Sequence, residues 1–195
     1  MKKKQPRNYS GANRAVQANE LRERVLNLAI KLLIKHKQEF SLRKLAQKAE
    51  CSERHLYRIF DGLDGLSQEL NKKMNTILEL DMDLKTIKTN ELPSYARTLF
   101  SKFNQNSELI KAYLGSPLGN SSRQRWLEEK HRYISNLFKD CENAEQLIKE
   151  TSVILSASFW MLLRTEALMS EEESVEYISK LATQIAESVK KGSKK

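Results

Sequence analysis

The sequence predicts an all-α protein in which a small three-helix unit precedes a larger helical region. Glycine and proline, which interrupt helices, account for only 6 and 3 of the 195 residues. Apolar residues recur at spacings of three and four along most of the chain, which is the period of an amphipathic helix. We place the boundaries at residues 1–17 for a basic flexible arm, 18–63 for the three-helix unit and 64–195 for the remainder.

The arm and the first helix begin the chain. The arm is basic and contains Pro6 and Gly11. It is either a tail without fixed structure or a segment that lies in a nucleic-acid groove. The first helix is predicted at residues 19–36, with Asn19 as its N-cap. Its apolar face consists of Leu21, Val25, Leu28, Ala29, Leu32 and Leu33.

Residues 41–60 predict two short helices joined by a tight turn of the helix-turn-helix kind. Ser41 and Ser52 are suited to cap the helices, because a serine hydroxyl accepts a hydrogen bond from an unpaired backbone N–H. Glu50 and Cys51 lie between the helices and form the turn. The second helix carries outward-facing side chains that can reach base edges and phosphates. These are Glu53, Arg54, His55, Tyr57 and Arg58.

The chain beyond Phe60 reads as a succession of helices. Two glycines and two aspartates within residues 61–65 mark a turn. A serine followed by three glutamates at residue 170 suits the positive end of a helix dipole. We predict helices at about residues 64–84, 91–104, 107–114, 120–139, 143–168 and 170–190.

The positive charge is concentrated in the first part of the chain. Residues 1–73 hold 17 Lys/Arg against 8 Asp/Glu, a surplus of nine, whereas residues 74–195 hold 17 of each. A surplus around a helix-turn-helix pattern points to nucleic acid as a polyanionic partner. A merely solubilising basic surface is the alternative.

Several classes of protein find no support in the sequence. No apolar run approaches the roughly 18 residues that a membrane span needs, and the basic N-terminus lacks the apolar core of a secretory leader. Two cysteines without a CxxC pair suggest reduced thiols in the cytoplasm. The three histidines are scattered, and no catalytic or phosphate-binding motif occurs. We therefore expect no enzyme activity, no metal site and no cofactor.

A spaced set of residues runs through the three-helix unit. It comprises Leu28-Ala29, Leu32-Leu33, Ser41-Leu42-Arg43-Lys44-Leu45-Ala46, Ala49, Ser52, Leu56-Tyr57, Phe60 and Leu66. This set resembles the N-terminal domain of TetR-type transcriptional regulators over about residues 19–66. The resemblance implies a helix-turn-helix DNA-binding domain followed by a larger helical domain for ligand binding and dimerisation. Beyond residue 66 the chain resembles these regulators only in its length and in its number of helices.

Five positions depart from the pattern of that family. Glu50-Cys51 replaces the usual Gly-Val before the capping serine, and a glutamate with positive φ would cost on the order of 1 kcal/mol. Arg54 stands where glycine is usual, and Ile59 where histidine or tyrosine is usual. Leu63 replaces a lysine that contacts phosphate. The chain thus resembles a divergent member, and we expect it to read an unusual operator.

The resemblance implies a function and the residues that perform it. A homodimer would bind palindromic double-stranded DNA, most simply as a repressor, and an unknown small-molecule effector would release it by shifting the helix at 64–84. The DNA-binding residues would be Ser41, Arg43, Lys44, Ser52, Glu53, Arg54, His55, Tyr57 and Arg58. For the serines the alternative is capping alone. For Arg43 and Lys44 it is a solvated surface, and for Tyr57 it is packing on the small core.

The region after residue 64 supplies candidates for the pocket and the dimer. The aromatic side chains that could line a ligand pocket, unless they form ordinary core, are Phe100, Phe103, Tyr113, Trp126, Tyr133 and Phe159. The residues expected at the dimer interface, unless they pack within one chain, are Ile154, Ala157, Ser158, Met161, Ile178, Leu181 and Ile185. Small residues there allow close helix approach.

The sequence also fits a second function class. The departures at Glu50 and Leu63 would also fit a protein that keeps this fold but serves as a protein-interaction or DNA-organising factor without operator control. A local regulator would occupy few genomic sites, whereas an organising factor would occupy many.

Overall fold

The computed structural model describes residues 11–36, 40–78 and 83–192, with side chains other than those of residues 11–15, 36, 120–126 and 190–192. Within these ranges the chain is helical and contains no β-strand. A short 3₁₀ helix, Thr89–Glu91, precedes the fifth α-helix. The α-helices are α1 Gly11–His36, α2 Leu42–Lys48, α3 Glu53–Phe60, α4 Gly62–Leu78, α5 Leu92–Gln105, α6 Ser107–Leu114, α7 Pro117–Leu137, α8 Ala144–Ile154, α9 Ala157–Thr165 and α10 Glu171–Gly192.

Helix α1 begins at Gly11, eight residues before the predicted N-cap Asn19. The prediction that the arm extends to residue 17 is therefore wrong. Residues 11–18 contain three alanines and no proline, and this composition favours continuation of the helix. Residues 1–10 of the predicted arm lie outside the described ranges.

The three helices pack around buried apolar side chains that are continuous with the core of the larger region. Val25 and Leu33 of α1 are fully buried, as is Leu45 of α2. Leu56 and Phe60 of α3 are 1% and 2% exposed. The apolar faces predicted for these helices thus point inward, and burial of each large side chain contributes roughly 1.5–3 kcal/mol. The opposite face of α3 is left free.

Helix α4 is shorter than predicted. It runs from Gly62 to Leu78, and residues 79–82, with the predicted apolar residue Leu80, lie outside the described ranges. Leu84 was expected to belong to this helix but lies in a turn. The Asp83 side chain accepts a hydrogen bond from the Lys85 backbone N–H (2.9 Å). This local bond is typical of aspartate in turns and competes with helix formation.

The predicted helix at residues 143–168 is two helices. Helix α8 ends at Ile154, and α9 starts at Ala157 after Ser156, which has extended backbone angles (φ −93°, ψ 143°). The Ser156 hydroxyl accepts from the Phe159 N–H at 3.0 Å and donates to the Val153 carbonyl at 2.8 Å. One serine thus satisfies groups at both helix ends. Helix α7 likewise starts earlier than predicted, after the cap Ser116.

A buried polar group ties together the core of the larger region. The Trp160 indole N–H donates to Asn104 Oδ1 (2.8 Å), and Asn104 Nδ2 donates to the Glu171 carbonyl (3.1 Å). These bonds join α9, α5 and α10. The Phe103 ring lies 5.8 Å from that of Phe100 and 5.9 Å from that of Trp160. None of the described helices is long and apolar enough to cross a membrane.

Candidate nucleic-acid interface and interior cavities

The turn between α2 and α3 is a Schellman motif. The Cys51 N–H donates to the Ala46 carbonyl at 3.0 Å, and the Glu50 N–H donates to the Gln47 carbonyl at 3.3 Å. Glu50 takes the left-handed position of this motif with φ 55°. The positive φ predicted at this residue is therefore present. It is the position that glycine usually fills.

Both predicted serine caps are formed. Ser41 Oγ accepts from the Lys44 N–H and Ser52 Oγ from the His55 N–H, each at 3.2 Å. The caps fix where α2 and α3 begin, and a cap of this kind contributes about 1 kcal/mol. Ser41 is half-buried, whereas Ser52 is exposed beside the free face of α3.

Two arginines of α1 hold the carbonyl ends of α2 and α3. Arg24 Nη2 donates to the Ala49 carbonyl (3.2 Å), and Arg22 Nη2 donates to the Ile59 carbonyl (2.8 Å). Arg22 also pairs with Glu69 of α4 at 2.6 Å. Cations are favourable at the negative end of a helix dipole. Sequence reasoning missed these two residues, although both flank the apolar face predicted for α1.

The junction between α3 and α4 requires a glycine. Asp61 and Gly62 reverse the chain with φ values of 55° and 85°. A Cβ atom at Gly65 would lie only 1.6 Å from the Phe60 carbonyl oxygen. The backbone of α4 therefore crosses the end of α3 too closely for any side chain at residue 65. The orientation of α3 is thus set by α1 on one side and α4 on the other.

The free face of α3 brings together the side chains predicted to read DNA. Glu53, Arg54 and Arg58 are exposed, and Tyr57 is 52% exposed beside Gly62. Arg58 Nη2 donates to His55 Nδ1 at 3.0 Å. Arg43 and Lys44 are exposed in the first turn of α2. An open depression on this face is lined by Ser52, Arg54, His55, Tyr57, Arg58, Asp61 and Gly62.

Two adjoining cavities lie in the larger region. The smaller, about 300 Å³, is mostly apolar and includes Phe103 and Tyr113 in its lining. The larger, about 630 Å³, includes Phe103 and Tyr133. Of the other predicted pocket residues, Phe100 is fully buried core and Phe159 is half-buried, and neither borders these cavities. The Trp126 side chain lies outside the described part of the chain.

Lys130 on α7 borders the larger cavity although it is only 5% exposed. Its ammonium group donates to the Ser152 carbonyl (3.0 Å), near the end of α8. Burial lowers the pKa of Lys130 to about 7. Sequence reasoning missed this residue because its neighbours along α7 are polar and indicate a solvated helix.

The predicted dimer residues divide into two groups. Ile154, Ile178 and Ile185 are 7%, 0% and 6% exposed within one chain. Ile178 and Ile185 lie on α10, which packs against α5 of the same chain, and Ile154 lies on α8. This burial supports the alternative that the three side chains pack within one chain, and their place at a dimer interface stays a prediction. Ala157, Ser158, Met161 and Leu181 are half-buried. Exposed apolar side chains nearby are Val153 at 57% and Leu162 at 49%.

A buried hydrogen-bond chain connects α4 with the smaller cavity. The Ser67 hydroxyl, fully buried on α4, donates to the Leu118 carbonyl at 2.5 Å. Its single proton is used there, so the Tyr113 hydroxyl, 3.1 Å away, donates to Ser67. Tyr113 also lines the smaller cavity. The helix that abuts α3 is thus hydrogen-bonded to the cavity wall.

Among the described residues, no three His, Cys, Asp or Glu side chains group closely enough to hold a metal ion. Comparisons of the chain with protein-family models, curated proteins and solved structures found no significant match.

Proposed function

We propose that this protein is a DNA-binding transcriptional regulator of the TetR type, acting in the cytoplasm as a repressor that a small molecule releases from a palindromic operator. The observation that carries the proposal is the free face of α3. Arg54, His55, Tyr57 and Arg58 lie together there, while the opposite face of the same helix is buried. The surplus of nine positive charges lies in residues 1–73, the part of the chain that contains this helix.

In this proposal α3 is the recognition helix of a helix-turn-helix domain and enters the major groove. Arg54 is suited to read guanine, since a bidentate arginine–guanine contact gives about 1–3 kcal/mol of discrimination. Ser41, Ser52, Arg43, Lys44 and Tyr57 would position the domain through phosphates.

A second copy of the chain would complete the binding unit. One α3 helix offers few base contacts, and helix-turn-helix proteins gain specificity by binding two half-sites. Val153 and Leu162 are exposed apolar side chains on α8 and α9, and half-buried Met161 is another on α9, which supports such a dimer.

Ligand control would act through α4. This helix contacts α3 through Gly65 and joins the smaller cavity through Ser67 and Tyr113. A ligand that moved the cavity wall would shift α4 and with it the spacing of two α3 helices in a dimer. Such control requires different affinities for the two arrangements.

The proposal is tested by letting the protein select sequences from a pool of random DNA duplexes. Binding of the selected duplex is then measured by fluorescence anisotropy at a range of salt concentrations. We expect an inverted repeat and an affinity that falls steeply with salt, because phosphate contacts release counterions. Arg54→Ala should relax the preference at one base position, whereas Lys44→Ala should weaken all sequences similarly.

The absence of duplex binding at low salt would refute the proposal. Strong binding without sequence preference would instead favour the DNA-organising role. Capture of a protein partner by a chain that does not bind DNA would favour the protein-interaction role.

A further inference from the structure

The two cavities of the larger region share a wall. Asn75, Leu78 and Phe103 border both of them. The hydrogen bond from Lys130 to the Ser152 carbonyl links a residue of the larger cavity with one of the smaller. The two spaces therefore adjoin at Phe103, and their sizes lie in the range of known ligand sites.

The two spaces differ in polarity. The larger cavity is bordered by three lysines (Lys72, Lys85 and Lys130) and two acids (Asp83 and Glu129), a formal surplus of one positive charge. The Asp83 carboxylate already accepts the Lys85 backbone N–H. The smaller cavity is bordered mainly by apolar side chains, among them Met74, Phe103, Ile110, Leu114 and Leu127.

We propose that the two cavities together bind one amphipathic monocarboxylate, with its carboxylate beside Lys130 and its apolar chain in the smaller space. A buried ammonium group loses much of its hydration, and an anionic ligand compensates that loss. Ser152, whose carbonyl accepts from Lys130, borders the smaller cavity, and its buried hydroxyl has no hydrogen-bond partner among the described residues. This hydroxyl is a further donor for the ligand. The regulatory meaning of this site depends on the proposed function, but binding itself does not.

The site gives binding a defined pH dependence. Because burial places the pKa of Lys130 at about 7, the free protein loses this charge as the pH rises above 7. A carboxylate binds the charged form, so its affinity falls by up to about tenfold per pH unit in that range. The other ionisable groups that border the cavity are Lys72 of α4, Asp83 and Lys85 of the turn, Tyr95 of α5, and Glu129 and Tyr133 of α7.

The test is calorimetric titration of the full chain, without DNA, with octanoate and octanol and with phenylbutyrate and phenylbutanol. We expect at least one acid to bind more tightly than its alcohol at pH 6. Lys130→Met should lower the affinity for that acid by about tenfold or more, which corresponds to the loss of one charge-assisted hydrogen bond. The affinity of this variant for the alcohol should change by less than about twofold, and the pH dependence of its acid binding should disappear.

Lys149→Met is the matched control, since Lys149 is exposed on α8 and outside both cavities. Alcohol binding by Lys130→Met shows that its cavities are intact, and Lys130→Gln serves as a second variant. Failure of both acids to bind would overturn the inference, as would equal binding of acid and alcohol or unchanged acid affinity in Lys130→Met. None of these results bears on DNA binding, which the selection experiment tests separately.

Discussion

The three-helix unit and the larger region place their cationic groups in opposite settings. On α3, Arg54 and Arg58 are exposed over a closely packed core, whereas Lys130 is enclosed beside two cavities. An exposed cation keeps its hydration and attracts a polyanion at little cost to stability. An enclosed cation destabilises the fold unless something compensates its charge. The two proposals require this contrast: an outer surface for a large anion and an inner site for a small one.

The largest expected effect tests the inner site through stability. The pKa of Lys130 lies at about 7 in the folded chain, against an ordinary value of 10.5. The unfolded chain therefore binds more protons between these values, and stability rises as the pH increases through that window. Relative to Lys130→Met, the free energy of unfolding of the wild type should increase by roughly 4 kcal/mol from pH 7 to 10. Urea unfolding at both pH values measures this difference. If the free energy of unfolding changed equally with pH in the wild type and in Lys130→Met, the burial of Lys130 would be contradicted.

The second prediction tests the fixed orientation of α3. Gly65→Ala places a methyl group against the Phe60 carbonyl and should lower the free energy of unfolding by about 3 kcal/mol. Gly115→Ala is the matched control, because a Cβ there would lie 3.5 Å from its nearest neighbour, an ordinary contact. Equal midpoints of thermal unfolding for the two variants would show that α4 does not cross α3 so closely.

The third prediction concerns the support of α3 by α1. Arg22→Gln removes the bond to the Ile59 carbonyl and the ion pair with Glu69, and should destabilise the fold by about 1–2 kcal/mol. Hydrogen exchange at the end of α3 should accelerate more than exchange in α10. Lys31→Gln, an exposed change on α1, is the control. Uniform acceleration along the chain would argue against a local role for Arg22.

The smallest expected effect is stabilising. Glu50→Gly relieves the left-handed backbone at the α2–α3 turn and should raise the free energy of unfolding by about 1 kcal/mol. Glu50→Ala keeps a Cβ atom and should not show this gain. Denaturant melts of the two variants measure the difference, and a gain for alanine as large as that for glycine would assign the effect to charge.

Local signals predict the two serine caps and the turn within residues 41–60. Ser41, Ser52 and the turn at Glu50 act within a few residues of themselves, so their roles can be read from the sequence. The start of α1 at Gly11 was missed because Asn19 offered a plausible cap. The break at Ser156 was missed because apolar residues continue through it. The burial of Lys130 and of Ile178 depends on packing between distant helices, which a periodic pattern does not specify.

DNA binding by the outer cations of α3 is the proposed role of the three-helix unit. It is tested most directly by comparing Arg54→Ala/Arg58→Ala with Lys149→Ala/Lys180→Ala, which removes two exposed charges from the larger region. Anisotropy with the selected duplex should show a loss of about a hundredfold or more for the α3 variant. The control should change by less than about twofold, since its charges lie outside the proposed interface. Equal losses for the two variants, or none for the α3 variant, would contradict the account.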